Sequence, residues 1–102
     1  MTTQIIDRPL VLLSFQRAML GEVFPALRAI TVEWSHTAVK FFAYIDGLLA
    51  EEDSDSLSSI SAEIAADFST GIDIDYEVVQ LDFPQRIDDT RTYVFLRREI
   101  VL

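Results

Sequence analysis

The chain has 102 residues, half of them hydrophobic, and 17 Asp and Glu against 8 Lys and Arg set its net charge at −9. That length holds one compact domain with a real core, spanning residues 1–102, and is too short for two. So negative a field repels polyanions and argues against nucleic acid as a partner, while the lack of any Cys excludes disulfide frameworks and thiolate zinc sites.

Asp7 followed by Pro9 predicts a helix start, because a carboxylate can cap free N–H groups and proline suits the first turn. The helix is expected to reach about Leu20, with Gly21 as its stop. Leu12, Leu13, Phe15, Met19 and Leu20 would form its buried face, widened by Leu10 and Val11, and Ser14, Arg17 and Ala18 would point away. From Leu27 the period changes to two: Ile30, Val32 and Trp34 share one side of a strand, and Ala29, Thr31 and Glu33 the other. After the polar break Ser35-His36-Thr37, Val39, Phe41, Ala43 and Ile45 alternate with Lys40, Phe42, Tyr44 and Asp46. This is a hairpin pattern that ends at Asp46-Gly47.

A second helix is expected to begin between Ala50 and Ser54, with Glu51, Glu52 and Asp53 at the positive end of its dipole. Leu57, Ile60, Ile64 and Phe68, with Ala65, form its apolar stripe, which stops before Thr70-Gly71. Ile72, Ile74, Tyr76 and Val78 then alternate with Asp73, Asp75 and Glu77, and a phase change at Val79-Gln80-Leu81 suggests a bulge. Pro84 ends that strand, and a polar loop from Gln85 to Arg91 leads to a last strand at Tyr93–Arg97. The order α-β-β-α-β-β predicts a single α+β domain, with a four-stranded antiparallel sheet and two helices packed on one face.

No stretch approaches the roughly 20 apolar residues that cross a bilayer. The N-terminus has neither the basic first region nor the small-residue cleavage site of a signal peptide, so the expected location is cytoplasmic, with no membrane partner.

Chemistry finds little to work with. His36 is the single histidine and falls in a predicted turn, so a general base or nucleophile array lacks its commonest members. Asp53-Ser54-Asp55 and Asp73-Ile74-Asp75 resemble calcium ligands in spacing, yet neither has the glycine and distal Glu of a calcium loop. The serines from Ser54 to Ser61 have no base beside them, and three glycines are too few for a phosphate-cradling loop. No catalytic residue, metal ligand or cofactor site is assigned.

The charge is unevenly placed. Between Phe41 and Gln85 lie eleven acids and no Lys or Arg, while the flanking segments together are slightly basic. Such a block is either a solvated surface or a docking surface for a basic protein, whose association it would accelerate. If both helices cover the face holding Phe41, Ile45, Ile74 and Val94, the other face displays Phe42, Tyr44, Tyr93 and Phe95. Asp73, Asp75, Glu77, Lys40 and Arg97 share it. Aromatics beside carboxylates fit an interface; cross-strand pairing that only stabilises the sheet is the competing account. The candidate partner-binding residues are Tyr44, Glu51, Glu52, Asp53, Asp55, Asp73, Asp75, Glu77, Tyr93 and Phe95. A homodimer through the same face is the alternative occupant.

The segments QRAMLGEVFPALRAI (Gln16 to Ile30), FFAYIDG with the later EED (Phe41 to Asp53), DYEVVQLDFPQ (Asp75 to Gln85) and YVFLRRE (Tyr93 to Glu99) occur in that order. Together they resemble small acidic bacterial immunity proteins of contact-dependent growth inhibition and related toxin systems. In those relatives a polar cap residue precedes EED, whereas here Leu48-Leu49-Ala50 stands there. The resemblance implies a non-catalytic protein that binds and neutralises a cognate toxin, of nuclease type, by stoichiometric occlusion. A cleft that attracts phosphates is basic, and carboxylates can fill it. The alternative is a cytoplasmic interaction or regulatory module without a toxin partner.

Overall fold

The computed structural model describes residues 5–100, and six elements account for its regular structure. Helix α1 covers Arg8–Ala18; the Asp7 carboxylate accepts the Leu10 N–H at 3.0 Å, and Pro9 sits in the first turn. The helix stops two residues earlier than the hydrophobic pattern suggests. Gly21, at φ 76°, takes the left-handed turn that follows.

The buried face of α1 differs from the expectation. Val11 and Phe15 are buried as expected, but Ser14 and Ala18 are buried too, whereas Leu13 and Leu20 are 54% and 74% exposed. The reason is the second helix, α2 (Glu51–Asp67), which packs against α1. Small side chains at Ser14 and Ala18 let the two backbones approach, and Ser14 Oγ donates to Asp67 Oδ2 at 2.7 Å. Asp67 also receives Arg17 at 3.1 Å, so the contact is held by hydrogen bonds where hydrophobicity alone predicts leucines.

Helix α2 begins where the acidic run does. Ala50 occupies the cap position in extended conformation, without a side-chain cap bond. The first-turn acids Glu51, Glu52 and Asp53 face the helix dipole favourably in place of the missing cap. Its stripe of Leu57, Ile60, Ile64 and Phe68 is buried, in line with the sequence period, while Ala65 lies exposed.

The sheet contains β1 (Leu27–Trp34), β2 (Ala38–Ile45), β3 (Asp73–Gln80) and β4 (Thr92–Leu96), in the order β3-β2-β1-β4. β1 and β2 form the expected antiparallel hairpin, and β4 pairs antiparallel with β1. β3 does not fit the antiparallel expectation: it runs parallel to β2, from Ala38 opposite Asp73 to Ile45 opposite Gln80. The sheet is therefore mixed. α2 returns the chain to the starting end of β2, so the next strand must run in the same direction. The last two strands lie on opposite edges of the sheet. The bulge expected near Val79 is absent, because the β2–β3 register is unbroken; the irregularities fall in the pairings of β1 instead.

One face of the sheet meets the helices. Phe41 packs edge-to-face on Phe15 of α1, with ring centroids 5.5 Å apart, and stacks on Tyr76 of β3 at 4.9 Å. Leu27, Ile30, Val32, Val39 and Ile45 complete a core that joins every element. Phe41→Ala should lower unfolding free energy by about 3–5 kcal/mol, since it empties the centre of this cluster. Leu48→Ala, at an exposed site, should change it by less than about 0.5 kcal/mol. Urea denaturation monitored by circular dichroism checks both.

Candidate partner-binding surface

The face of the sheet away from the helices is not open. To travel from β3 at one edge to β4 at the other, residues 81–91 cross beneath β2 and β1, and a set of polar side chains holds them there. At the start of the crossing, Arg28 Nη1 donates to Leu81 O at 2.6 Å, and Gly47 N–H donates to Asp82 Oδ1 at 2.7 Å. Phe83 N–H reaches Asp46 Oδ1 at 3.2 Å. At the far end, Asp89 accepts from Thr31 Oγ1 at 2.7 Å, Tyr44 Oη at 2.6 Å and Arg91 N–H at 2.8 Å.

These contacts decide what the four aromatics do. Phe42 is 6% exposed, with the Arg91 guanidinium 3.9 Å and the Lys40 ammonium 5.1 Å from its ring centroid. The Tyr44 hydroxyl is committed to Asp89, and Tyr93, 37% exposed, donates to the Asp89 carbonyl at 2.8 Å. Phe95 is displaced altogether. A register shift between Ile30 and Thr31 sets it opposite Ile30, where it packs on the helix-side core, and Leu96 takes the exposed position. Strict alternation put Phe95 on the open face; the bulge overturns that placement.

Buried ionisable groups anchor the crossing. The Asp89 carboxylate is 1% exposed. Burial opposes its ionisation, but the Tyr44 and Thr31 hydroxyls, with the Arg91 amide and guanidinium, outweigh that and hold its pKa below the ordinary value. Burial first, and then the neighbouring carboxylate, push the Tyr44 phenol up to about 12. Arg28, 2% exposed, grips Glu99 with two bonds, Nε to Oε2 at 2.7 Å and Nη2 to Oε1 at 2.8 Å. Arg97 binds Glu99, Asp46 and the Pro25 carbonyl. The Arg28 bonds, together with those of Arg97, lower the Glu99 carboxyl to about 2 in spite of burial. Among the described residues no buried side-chain nitrogen or oxygen lacks a partner. Asp46 and Asp82, part of the central acidic block, thus have internal uses.

Of the other acids in this block, Asp67 binds Ser14 and Arg17 between the helices and Glu63 is exposed on α2, and the rest form two groups. Glu51, Glu52 and Asp55 are exposed and Asp53 half-buried on the first turns of α2. Asp73, Asp75 and Glu77 are exposed along β3, at the edge of the sheet; Glu77 lies 3.8 Å from Lys40, a solvated pair of small energetic weight. Alternation aims the β3 acids at the face away from the helices, whereas α2 belongs to the helix layer, so the two groups do not merge into one patch. His36 is exposed in the β1–β2 turn. No group of three or more His, Asp or Glu among the described residues could hold a metal ion. None of the helices described is long and apolar enough to cross a membrane.

Pattern reading did not find one concave feature. A groove of about 420 Å³ runs between the crossing segment and β4, lined by Arg28, Phe83, Ile87, Tyr93 and Leu96 among others. Its walls are far apart in sequence. The isolated hydrophobics Phe83 and Ile87 within a polar loop are the only sequence signal for it.

Two measurements test the anchors. Glu99→Gln should cost about 3 kcal/mol at pH 7 by weakening the partner of a buried guanidinium. Because the folded pKa of Glu99 lies below its ordinary value, its contribution is complete above about pH 4.5 and fades toward pH 2. The stability gap between wild type and variant should therefore close over that window in denaturant titrations. Asp89→Ala should leave the Tyr44 and Thr31 hydroxyls without their acceptor, cost about 3 kcal/mol, and accelerate tryptic cleavage after Arg86 and Arg91.

A comparison with curated proteins finds no match. The model of the MafI2 immunity protein family matches residues 8–99, a span that begins with the first residue of α1, covers all six elements and ends at Glu99, the partner of Arg28. The chain belongs to the MafI2 immunity protein family.

Proposed function

We propose that the protein neutralises a cognate toxin in the cytoplasm by binding it one-to-one, without turnover, and that its acidic surface covers a basic, nuclease-type active-site cleft. Membership of an immunity protein family supports toxin neutralisation. The observation that carries the electrostatic part is the division of labour among the acids. Asp46, Asp82, Asp89 and Glu99 hold the fold together, while Glu51, Glu52, Asp55, Asp73, Asp75 and Glu77 stand exposed. Exposed carboxylates contribute little to stability. Against a basic cleft they would take the positions of substrate phosphates and raise the association rate.

Tyr93 keeps enough exposure to join the contact, whereas Tyr44 and Phe95 belong to the internal structure described above. A binding titration with the toxin domain encoded beside this gene provides the test. Reversal of Glu51, Glu52, Asp53, Asp73 and Asp75 to Lys should weaken binding by about 100-fold or more at low ionic strength, and the loss should shrink as salt is added. Affinity and protection that survive the five reversals would show that the acids are a solvated surface and that occlusion has another basis.

A further inference from the structure

β3 is an edge strand of eight residues, paired on one side with β2 and on the other with no described residue. Asp73 N–H donates to the Thr37 carbonyl and Leu81 N–H to the Ile45 carbonyl, both at 2.9 Å. Strand geometry repeats every second residue, so positions 73, 75, 77 and 79 also face β2. The main-chain N–H and C=O groups of Ile74, Tyr76, Val78 and Gln80 then point outward. One of these donors, Tyr76 N–H, is held in the free protein by the Asp75 carboxylate at 2.8 Å. The register with β2 has no shift over its full length, so no bulge twists this edge away from a newcomer. β4, the opposite edge, has five residues and an irregular register. β3 is the better template.

Charge selects what can use it. Asp73, Asp75 and Glu77 alternate along one side of the edge and are exposed. Pairing β3 with β3 of a second copy would set carboxylates against carboxylates, which destabilises a ladder. A strand with Lys or Arg at alternate positions would gain the main-chain bonds and opposite-charge cross-strand pairs together. Its intervening side chains would face the helix side, where Val78 is 38% exposed beside Tyr76. We infer that the outer edge of β3 receives a basic strand of the toxin, with Lys or Arg alternating with apolar residues, and extends the sheet by one strand. This inference rests on the toxin-binding reading and adds the geometry of the contact.

Amide hydrogen exchange distinguishes the two. In the complex of the labelled protein with the neighbouring toxin domain, the amides of Ile74, Tyr76, Val78 and Gln80 should slow by about 10-fold or more relative to the free protein, with those of 75, 77 and 79 little changed. Val78→Pro deletes one outward donor and leaves the β2 ladder intact, and the folded variant should bind about 10-fold more weakly. A one-to-one complex in which the alternate amides exchange as in the free protein overturns strand addition and leaves toxin binding standing. So does undiminished binding by folded Val78→Pro. Failure of the wild-type protein to form any complex overturns both.

Discussion

The parallel pairing of β2 with β3 sets the rest of this architecture. A hairpin needs only a tight turn, but parallel neighbours need a connection long enough to bring the chain back to its starting end, and α2 supplies it. Once β3 lies beside β2, the inner position next to β1 is taken on one side only, and β4 fills the other. The link between the last two strands must then span the width of two strands. It crosses the face that the helices leave uncovered, because both helices already occupy the other.

A crossing segment made mostly of polar residues cannot be held by hydrophobic burial alone. Arg28 and Asp89 solve this at its two ends, one as a buried cation that binds a carbonyl and the Glu99 carboxylate, the other as a buried anion with hydroxyl and amide donors. Each is satisfied by several partners, which is the condition under which a buried charge is tolerable. The same arrangement commits the aromatics of the sheet: Phe42 lies beneath two cations, and the Tyr44 and Tyr93 hydroxyls are tied to Asp89, although Tyr93 stays 37% exposed. What remains accessible on this side is the acidic margin along β3 and the groove beside β4. The acids that hold the fold are thus largely distinct from those that stand exposed, so the exposed set can change at little cost to the fold.

Much of the local structure was legible in the residues. The Asp7-Pro9 start, the β1–β2 hairpin, the stripe from Leu57 to Phe68 and the acid-rich start of α2 all follow from short-range rules, and the structure agrees with them. The resemblance to immunity proteins carried the family. The buried side of α1 departs from its hydrophobic pattern because its neighbour is another helix, which needs the small Ser14 and Ala18, and Leu13 is left outside. The side of Phe95 departs from simple alternation because one extra residue in a ladder reverses alternation beyond it, and no residue type marks the position. The acidic block was visible as a number of charges, but its separation into anchors and exposed groups was not.

The sequence by itself determined the number and kind of elements, the apolar side of α2 and of β2, and the concentration of negative charge in the middle of the chain, because period, capping and composition act over a few residues. Only the tertiary structure decided that β3 runs parallel to β2, that residues 81–91 close the second face, and which carboxylates are consumed in doing so. Strand direction and salt-bridge partners depend on contacts between residues 35 to more than 70 positions apart, and no local pattern encodes which of several equivalent acids a buried arginine will meet.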